Sequence, residues 1–398
     1  MNDTRERAFG RELRGLFGLD PAVTYLNHGT VGVTPRTVLD VQQHFRELME
    51  RQPSAFLLRE LVSLVGVPRR EPGRLREAAA MVAAFVGARA EDLVFVDNAT
   101  TGVNAVLRSL DLRPGDELLL TDHNYGAVAN AAGFHARERS AQVRTVSVPY
   151  PAFDPEALVA SLDAALGPRT RLLLLDHITS ESALILPVAE IAARARAKGV
   201  SVLVDGAHAP GAIPLDVSAL GVDYYTANLH KWAFAPKGCG FLWAAPSRQA
   251  SLHPPVISWG LDQGFLAEFD WVGTRDPSPW LSAPAGIAFL KDLGGAAVQR
   301  HNHGLAWDAA RRLTERWQTR LEIAEASVGT MATLPLPEAA GSTKDQAARL
   351  RDALLFEDRI EVQLHAAHGR LWTRVSAQVY NDRDDIDRLG EAVAARIR

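Results

Sequence analysis

The middle of the chain alternates between short, nearly unbroken apolar runs and longer stretches with apolar residues every three or four positions. The runs are Leu93-Val94-Phe95-Val96, Glu117-Leu118-Leu119-Leu120, Val143 to Val148, Leu172 to Asp176, Val200 to Asp205, Tyr224-Tyr225-Thr226 and Gly240-Phe241-Leu242-Trp243. Several are apolar at every position, as a strand must be when its sheet is covered on both faces. Thr101 to Ser109 and Pro187 to Gly199 carry helical spacing, the second closed by a glycine stop. Strands alternating with helices predict an α/β fold built on a mainly parallel, seven-stranded sheet.

The last third has a different texture. Ala297 to Trp317 is a long amphipathic helix by pattern, followed by a mixed region and a helix over Thr343 to Phe356. Two strand candidates, Ile360 to Leu364 and Leu371 to Ser376, precede a final helix from about Asp384 to Ile397. Helices around a short sheet predict a smaller α+β C-terminal domain. The boundary falls near 275–285, giving a large domain over 20–280 and a small one from 1–19 and 281–398. An opening helix over about Glu6 to Leu16 is expected to pack on the small domain.

Composition narrows the function classes. Forty-three Lys and Arg against 47 Asp and Glu leave a net charge of −4 over 398 residues, without the basic excess of a nucleic-acid binder. One cysteine, Cys239, excludes an intrachain disulfide and a metal site built on several thiolates, and fits a reducing cytoplasm. The polar start Met1 to Arg7 does not read as a secretory signal, and no apolar run is long enough to predict a membrane span. A nicotinamide dehydrogenase would need a glycine fingerprint after an early strand; Asn98 to Val103 holds only Gly102.

The chemistry concentrates at strand ends. Ser201 to Asp205 runs into Gly206-Ala207-His208, and Tyr225-Thr226-Ala227-Asn228 runs into Leu229-His230-Lys231-Trp232. In an open α/β sheet, ligands bind at the C-terminal strand ends. A carboxylate there, with a lysine 26 residues later, suits pyridoxal 5′-phosphate. That cofactor needs a Schiff-base lysine, a carboxylate on its ring nitrogen and donors for its phosphate. Thr100 and Thr101 open the helix after Leu93–Val96, where free N–H groups and hydroxyls form an anion site. They serve equally as an N-cap. Tyr125 is placed to stack on the ring, with His123 as the alternative, and Ser180 or Thr179 to donate to the ring hydroxyl oxygen.

These residues resemble the class V aminotransferase family of fold type I pyridoxal-phosphate enzymes, most of all its epimerases. The resemblance covers nearly the whole chain. It is carried by Tyr25 to Gly32, Phe56 to Glu60, Asp205 to Gly211, His230-Lys231-Trp232, Gly273 to Asp276, Pro279 to Leu281 and Arg374-Val375-Ser376 leading to Tyr380-Asn381. It implies that Lys231 holds the cofactor, that Asp205 pairs with the ring nitrogen and that His208 lies against the ring. Thr100, Thr101, Asn228 and His230 would hold the phosphate, and Thr274 would reach the phosphate of a partner subunit in a homodimer with shared active sites. Arg374 would clamp the substrate α-carboxylate as a fork. The side-chain pocket is expected from the Asn27-His28 loop, Phe56 to Leu58 and Ile257 to Gly260.

Two departures matter. Asn228 stands where relatives commonly carry Ser, and Ile360 to Trp372 lacks the cysteine that desulfurases of this family use. The expectation is a pyridoxal-phosphate enzyme acting at Cα of an amino acid, with epimerisation ahead of C–S elimination and transamination. No metal, nucleic acid or membrane is expected as a partner.

Overall fold

The computed structural model describes residues 9–397. Its main sheet has strands β1 (Leu93–Val96), β2 (Glu117–Thr121), β3 (Gln142–Val146), β4 (Thr170–Asp176), β5 (Ser201–Asp205), β6 (Tyr224–Asn228) and β7 (Gly240–Ala244). Their order is β1-β7-β6-β5-β4-β2-β3. The strands from β6 to β3 run parallel, and β7 is antiparallel to both of its neighbours. The expected seven-stranded, mainly parallel sheet is therefore present.

Side-chain alternation builds two cores on this sheet. Leu119, Leu173, Leu175, Val202, Val204, Tyr225 and Phe241 enter one apolar cluster. Leu118, Leu120, Leu172, Leu174, Leu203, Tyr224 and Leu242 enter the other. A period of two makes successive residues face opposite ways, so a strand buried on both sides must be apolar throughout. The edge strand β3 follows the other rule, with Gln142, Val143, Arg144 and Thr145 all exposed.

A second, antiparallel sheet has order β9-β10-β8, with β8 (Met331–Pro335), β9 (Gln363–Ala367) and β10 (Arg370–Ser376). The strand expected over Ile360 to Leu364 is split. Ile360–Glu361 pairs with Thr24–Tyr25, and the chain changes partner at Val362 before β9 begins. The helices Lys344–Phe356 and Arg383–Arg396 start on capping boxes, Thr343 with Gln346 and Asp382 with Asp385. The opening helix is a shorter 3-10 segment, Arg11–Leu16; the part expected at 6–8 lies outside the described residues. It packs mostly on the last third of the chain, and Phe17 also meets Phe234. Leu13 and Phe17 join Leu290, Leu293, Val298, Val379 and Tyr380, and Arg14 Nη2 lies 2.9 Å from Asp385 Oδ1. Among the described residues, no helix is long and apolar enough to cross a membrane.

Removing the cap hydroxyl in Thr343→Ala should cost about 1 kcal/mol of stability. Denaturant unfolding checks this; an unchanged midpoint would mean that the capping box contributes nothing.

Candidate active site

The site lies where β2, β4, β5 and β6 end. The N–H of Ala207 donates to Asp205 Oδ1 at 2.9 Å as the chain turns away from β5. Beside it in register, at the end of β4, stands Asp176, whose Oδ2 accepts from Asn124 Nδ2 at 2.6 Å. Both carboxyls are buried, and burial raises the pKa of each; for Asp176 the charge of Asp205 adds to the effect.

Lys231 is in the loop between β6 and β7. Because β7 runs antiparallel to β6, this loop leaves and re-enters the sheet at one edge, Asn228 opposite Gly240. Two glycines let the surrounding backbone close in. A Cβ on Gly32 (φ 72°) would lie 2.0 Å from the His230 carbonyl oxygen, and one on Gly211 (φ 87°) 2.3 Å from that of Trp232. His28 completes the clamp. Its Nε2 donates to the Lys231 carbonyl at 3.0 Å, and its Nδ1 accepts from the Tyr380 hydroxyl at 2.8 Å.

The Lys231 amine lies 3.1 Å from His208 Nε2. The Trp232 indole, which can only donate, reaches His208 Nδ1 at 3.4 Å. That assigns the His208 proton to Nε2, so Lys231 accepts it as a neutral amine. The electrostatics agree. Burial, then the charge of Arg374, lowers Lys231 to about 7, against the opposing pull of Asp205 and Asp176. Burial also holds His208 well below its ordinary value, with the Lys231 charge acting the same way.

Arg374, on β10, faces the amine from the small sheet. Its Nη1 donates to the Ser180 carbonyl at 2.6 Å and its Nη2 to the Thr30 hydroxyl at 2.8 Å. Its Nε is buried without a partner among the described residues. At the opposite end, the helix Ala99–Ser109 starts with Asn98 Oδ1 capping the Thr101 N–H at 2.9 Å. Asn228 Oδ1 accepts from the Ala99 N–H at 2.9 Å, and His230 Nδ1 donates to the Cys239 carbonyl at 2.9 Å. Burial lowers His230 to about 4.

These groups surround one cavity of about 1110 Å³. Of the residues singled out from sequence, Thr100, Thr101, Tyr125, Ser180, Asp205, His208, Asn228, His230, Lys231 and Arg374 all line it. His28 does not: both of its ring nitrogens are spent inside the protein, and Gly29 and Thr30 line the wall instead. Thr274 is exposed and outside this wall. Phe56 and Leu57 are packed in the main core, and Trp259 is 74% exposed, so neither segment forms a side-chain pocket within one chain. Tyr125 is 48% exposed, whereas the His123 side chain is 11% exposed and reaches deeper. Sequence reasoning passed over Asp176 and Thr30. Asp176 carried the same strand-end signal as Asp205; Thr30 had none beyond its place in the Tyr25 to Gly32 stretch.

The model for the class V aminotransferases matches residues 34–389. The chain belongs to that family. It is 35% identical to isopenicillin N epimerase of Streptomyces clavuligerus, over 96% of this chain and 97% of the relative. It is 28% identical to L-cysteine desulfhydrase of Arabidopsis thaliana, over 94% and 88%. In fold it is similar to a cystine C–S lyase solved with cysteine persulfide, at TM-score 0.77 and 23% identity, over 94% of this chain and 97% of that one. As a class V aminotransferase-family member, the protein is a pyridoxal-phosphate-dependent enzyme acting on amino acids. The cavity fits that cofactor: it joins a buried neutral amine, a buried carboxyl, a helix start rich in donors and a guanidinium with an orphaned N–H.

Lys231 should be reactive as a free amine in the cofactor-free protein. A lowered pKa puts the amine form above about pH 7 and the ammonium below it. Acetylation of Lys231, followed by peptide mapping across pH, should show a midpoint near 7; a midpoint near 10 would contradict the assigned environment.

Proposed function

We propose that the chain is an amino acid epimerase of the isopenicillin N epimerase type. The observation that supports this best is the buried amine of Lys231 sharing one cavity with the guanidinium of Arg374, with no thiol in the cavity wall. Cys239 is fully buried outside that wall, and burial raises its thiol well above the ordinary value. A cysteine persulfide chemistry therefore has no nucleophile here.

Bound pyridoxal phosphate supplies a protonated ring that draws electrons from Cα of the attached amino acid. The residues of the chain divide the remaining work. Lys231 would hold the cofactor, and its amine, which the lowered pKa leaves available near neutral pH, would take the Cα proton. Asp205 keeps the ring nitrogen protonated. His208, bonded to the Lys231 amine, would lie beside the ring and hold or return a proton at Nζ. Thr100, Thr101 and the helix start take the phosphate. Asn228 contributes its Nδ2, since its oxygen is engaged by Ala99. With its Nδ1–H fixed on Cys239, His230 would donate from Nε2 only as an imidazolium, a form that the phosphate charge would favour and burial opposes.

Arg374 would orient the α-carboxylate, with Ser180 and Thr30 holding the fork in place, and Tyr125 would cover the ring. Thr274, exposed in one chain, is assigned to the phosphate of a partner subunit in a homodimer. The single buried cysteine is compatible with a cytoplasmic enzyme. The likeness to an L-cysteine desulfhydrase supports β-elimination as the second reading.

Holoenzyme incubated with a panel of L-amino acids in heavy water separates the two. The expected result is deuterium at Cα in otherwise intact substrate, with loss of optical purity. Release of a keto acid with a sulfur fragment would make the enzyme a lyase, and stoichiometric keto acid without one would make it a transaminase.

A further inference from the structure

Arg374 has a support behind the cavity wall. Thr24–Tyr25 pairs with Ile360–Glu361 in a two-residue parallel sheet. Two residues further on, Asn27 bridges Ser376 at the end of β10, and the Ser376 N–H donates to the Leu26 carbonyl at 2.8 Å. Asn27 thus stands between the segment that carries Glu361 and the strand that carries Arg374. A row of hydrogen bonds crosses it. Asn27 Nδ2 donates to Glu361 Oε1 at 2.8 Å, and the Thr30 hydroxyl donates to Asn27 Oδ1 at 2.5 Å. Arg374 Nη2 donates to the Thr30 oxygen at 2.8 Å and lies 3.4 Å from Asn27 Oδ1.

The direction of every proton in this row is set from its two ends. A guanidinium can only donate and a carboxylate can only accept. Glu361 therefore takes the amide nitrogen of Asn27, which turns the amide oxygen toward Thr30 and Arg374. Thr30 must then accept from Arg374 and donate to Asn27. Arg374 is buried, and its hydrogen-bond partners among the described residues, Ser180, Asn27 and Thr30, are all neutral. Glu361 is the charged end of the row. Thr30 and Arg374 line the main cavity, whereas Asn27 and Glu361 border an outer cavity of about 300 Å³ that Thr30 also reaches. A long side chain held in place before substrate arrives leaves less ordering to be done on binding.

We propose that Glu361 and Asn27 are positioning residues for Arg374: the carboxylate orients the amide, and the amide with Thr30 holds the guanidinium in the attitude that receives a substrate α-carboxylate. Neither Glu361 nor Asn27 lines the main cavity, so both act through Arg374. The inference rests on the proposed function, because Arg374 must be the group that holds that carboxylate.

The test measures binding of L-norleucine and of pentylamine, the same chain without its carboxylate, to the holoenzyme. Binding is read from the change in the cofactor's visible absorption. Glu361 is half-buried, and Glu361→Leu removes the acceptor with little change of volume. It should weaken norleucine binding about fivefold, the effect of one hydrogen bond, and leave pentylamine binding and cofactor content unchanged. Glu361→Gln can still turn an oxygen to Asn27 and should keep norleucine binding within about twofold of the unmodified enzyme. A merely structural role would weaken both ligands together and would not be rescued by glutamine. Arg374→Ala is the reference: it should weaken norleucine more than Glu361→Leu does and spare pentylamine. Norleucine binding untouched by Glu361→Leu, both ligands weakened alike, or Glu361→Gln as weak as Glu361→Leu would overturn the inference and leave the proposed function standing. If Arg374→Ala does not weaken norleucine selectively, the proposed carboxylate clamp itself falls, and this inference with it.

Discussion

Keeping a lysine amine out of water is the constraint on which the rest of this site depends. An ammonium in an apolar interior is costly, so the group gives up its charge. Lys231 does so because the loop from β6 to β7 is pressed inward, with His28 bonded to its carbonyl and Gly32 and Gly211 admitting close backbone contact. Trp232 then fixes the His208 proton on the nitrogen that faces the amine. The nucleophile is thus prepared by backbone packing and one indole, and needs no adjacent carboxylate as its base.

The charges around it follow a division by strand. Carboxyls end β4 and β5, the amine follows β6, donors open the helix after β1, and the guanidinium enters from β10. A cofactor with a basic ring nitrogen, a carbonyl and a phosphate meets complementary groups at three separate edges of this arrangement. The proposed function leaves the substrate carboxylate to Arg374. Two of the guanidinium's donors are already committed to Ser180 and Thr30, so its orientation is set before substrate arrives.

Much of this was legible in the sequence for a physical reason. Leu172 to Asp176 and Val200 to Asp205 are apolar throughout because their sheet is covered on both faces, and the first polar residue marks the edge where ligands bind. The strand Met331–Pro335 was illegible because Thr333 and Pro335 interrupt its apolar run, although all five residues are buried. The resemblance places His28, in the loop with Asn27, at the side-chain pocket. Only the fold shows both of its nitrogens spent on Tyr380 and Lys231, 352 and 203 residues away. Asp176 ends its strand as Asp205 does, so its only signal in the sequence is the strand-end rule. The sequence does not tell which face of the short strand β9 meets the cavity, so its polar residues are placed only by the fold.

The central claim is that Lys231 carries the cofactor. The most direct test is to reduce the holoenzyme with borohydride, digest it and map the pyridoxyl group by mass spectrometry. The account predicts one modified peptide, with the label on Lys231, and no label there in Lys231→Ala. A label on another lysine, or the same adduct formed in Lys231→Ala, would contradict it.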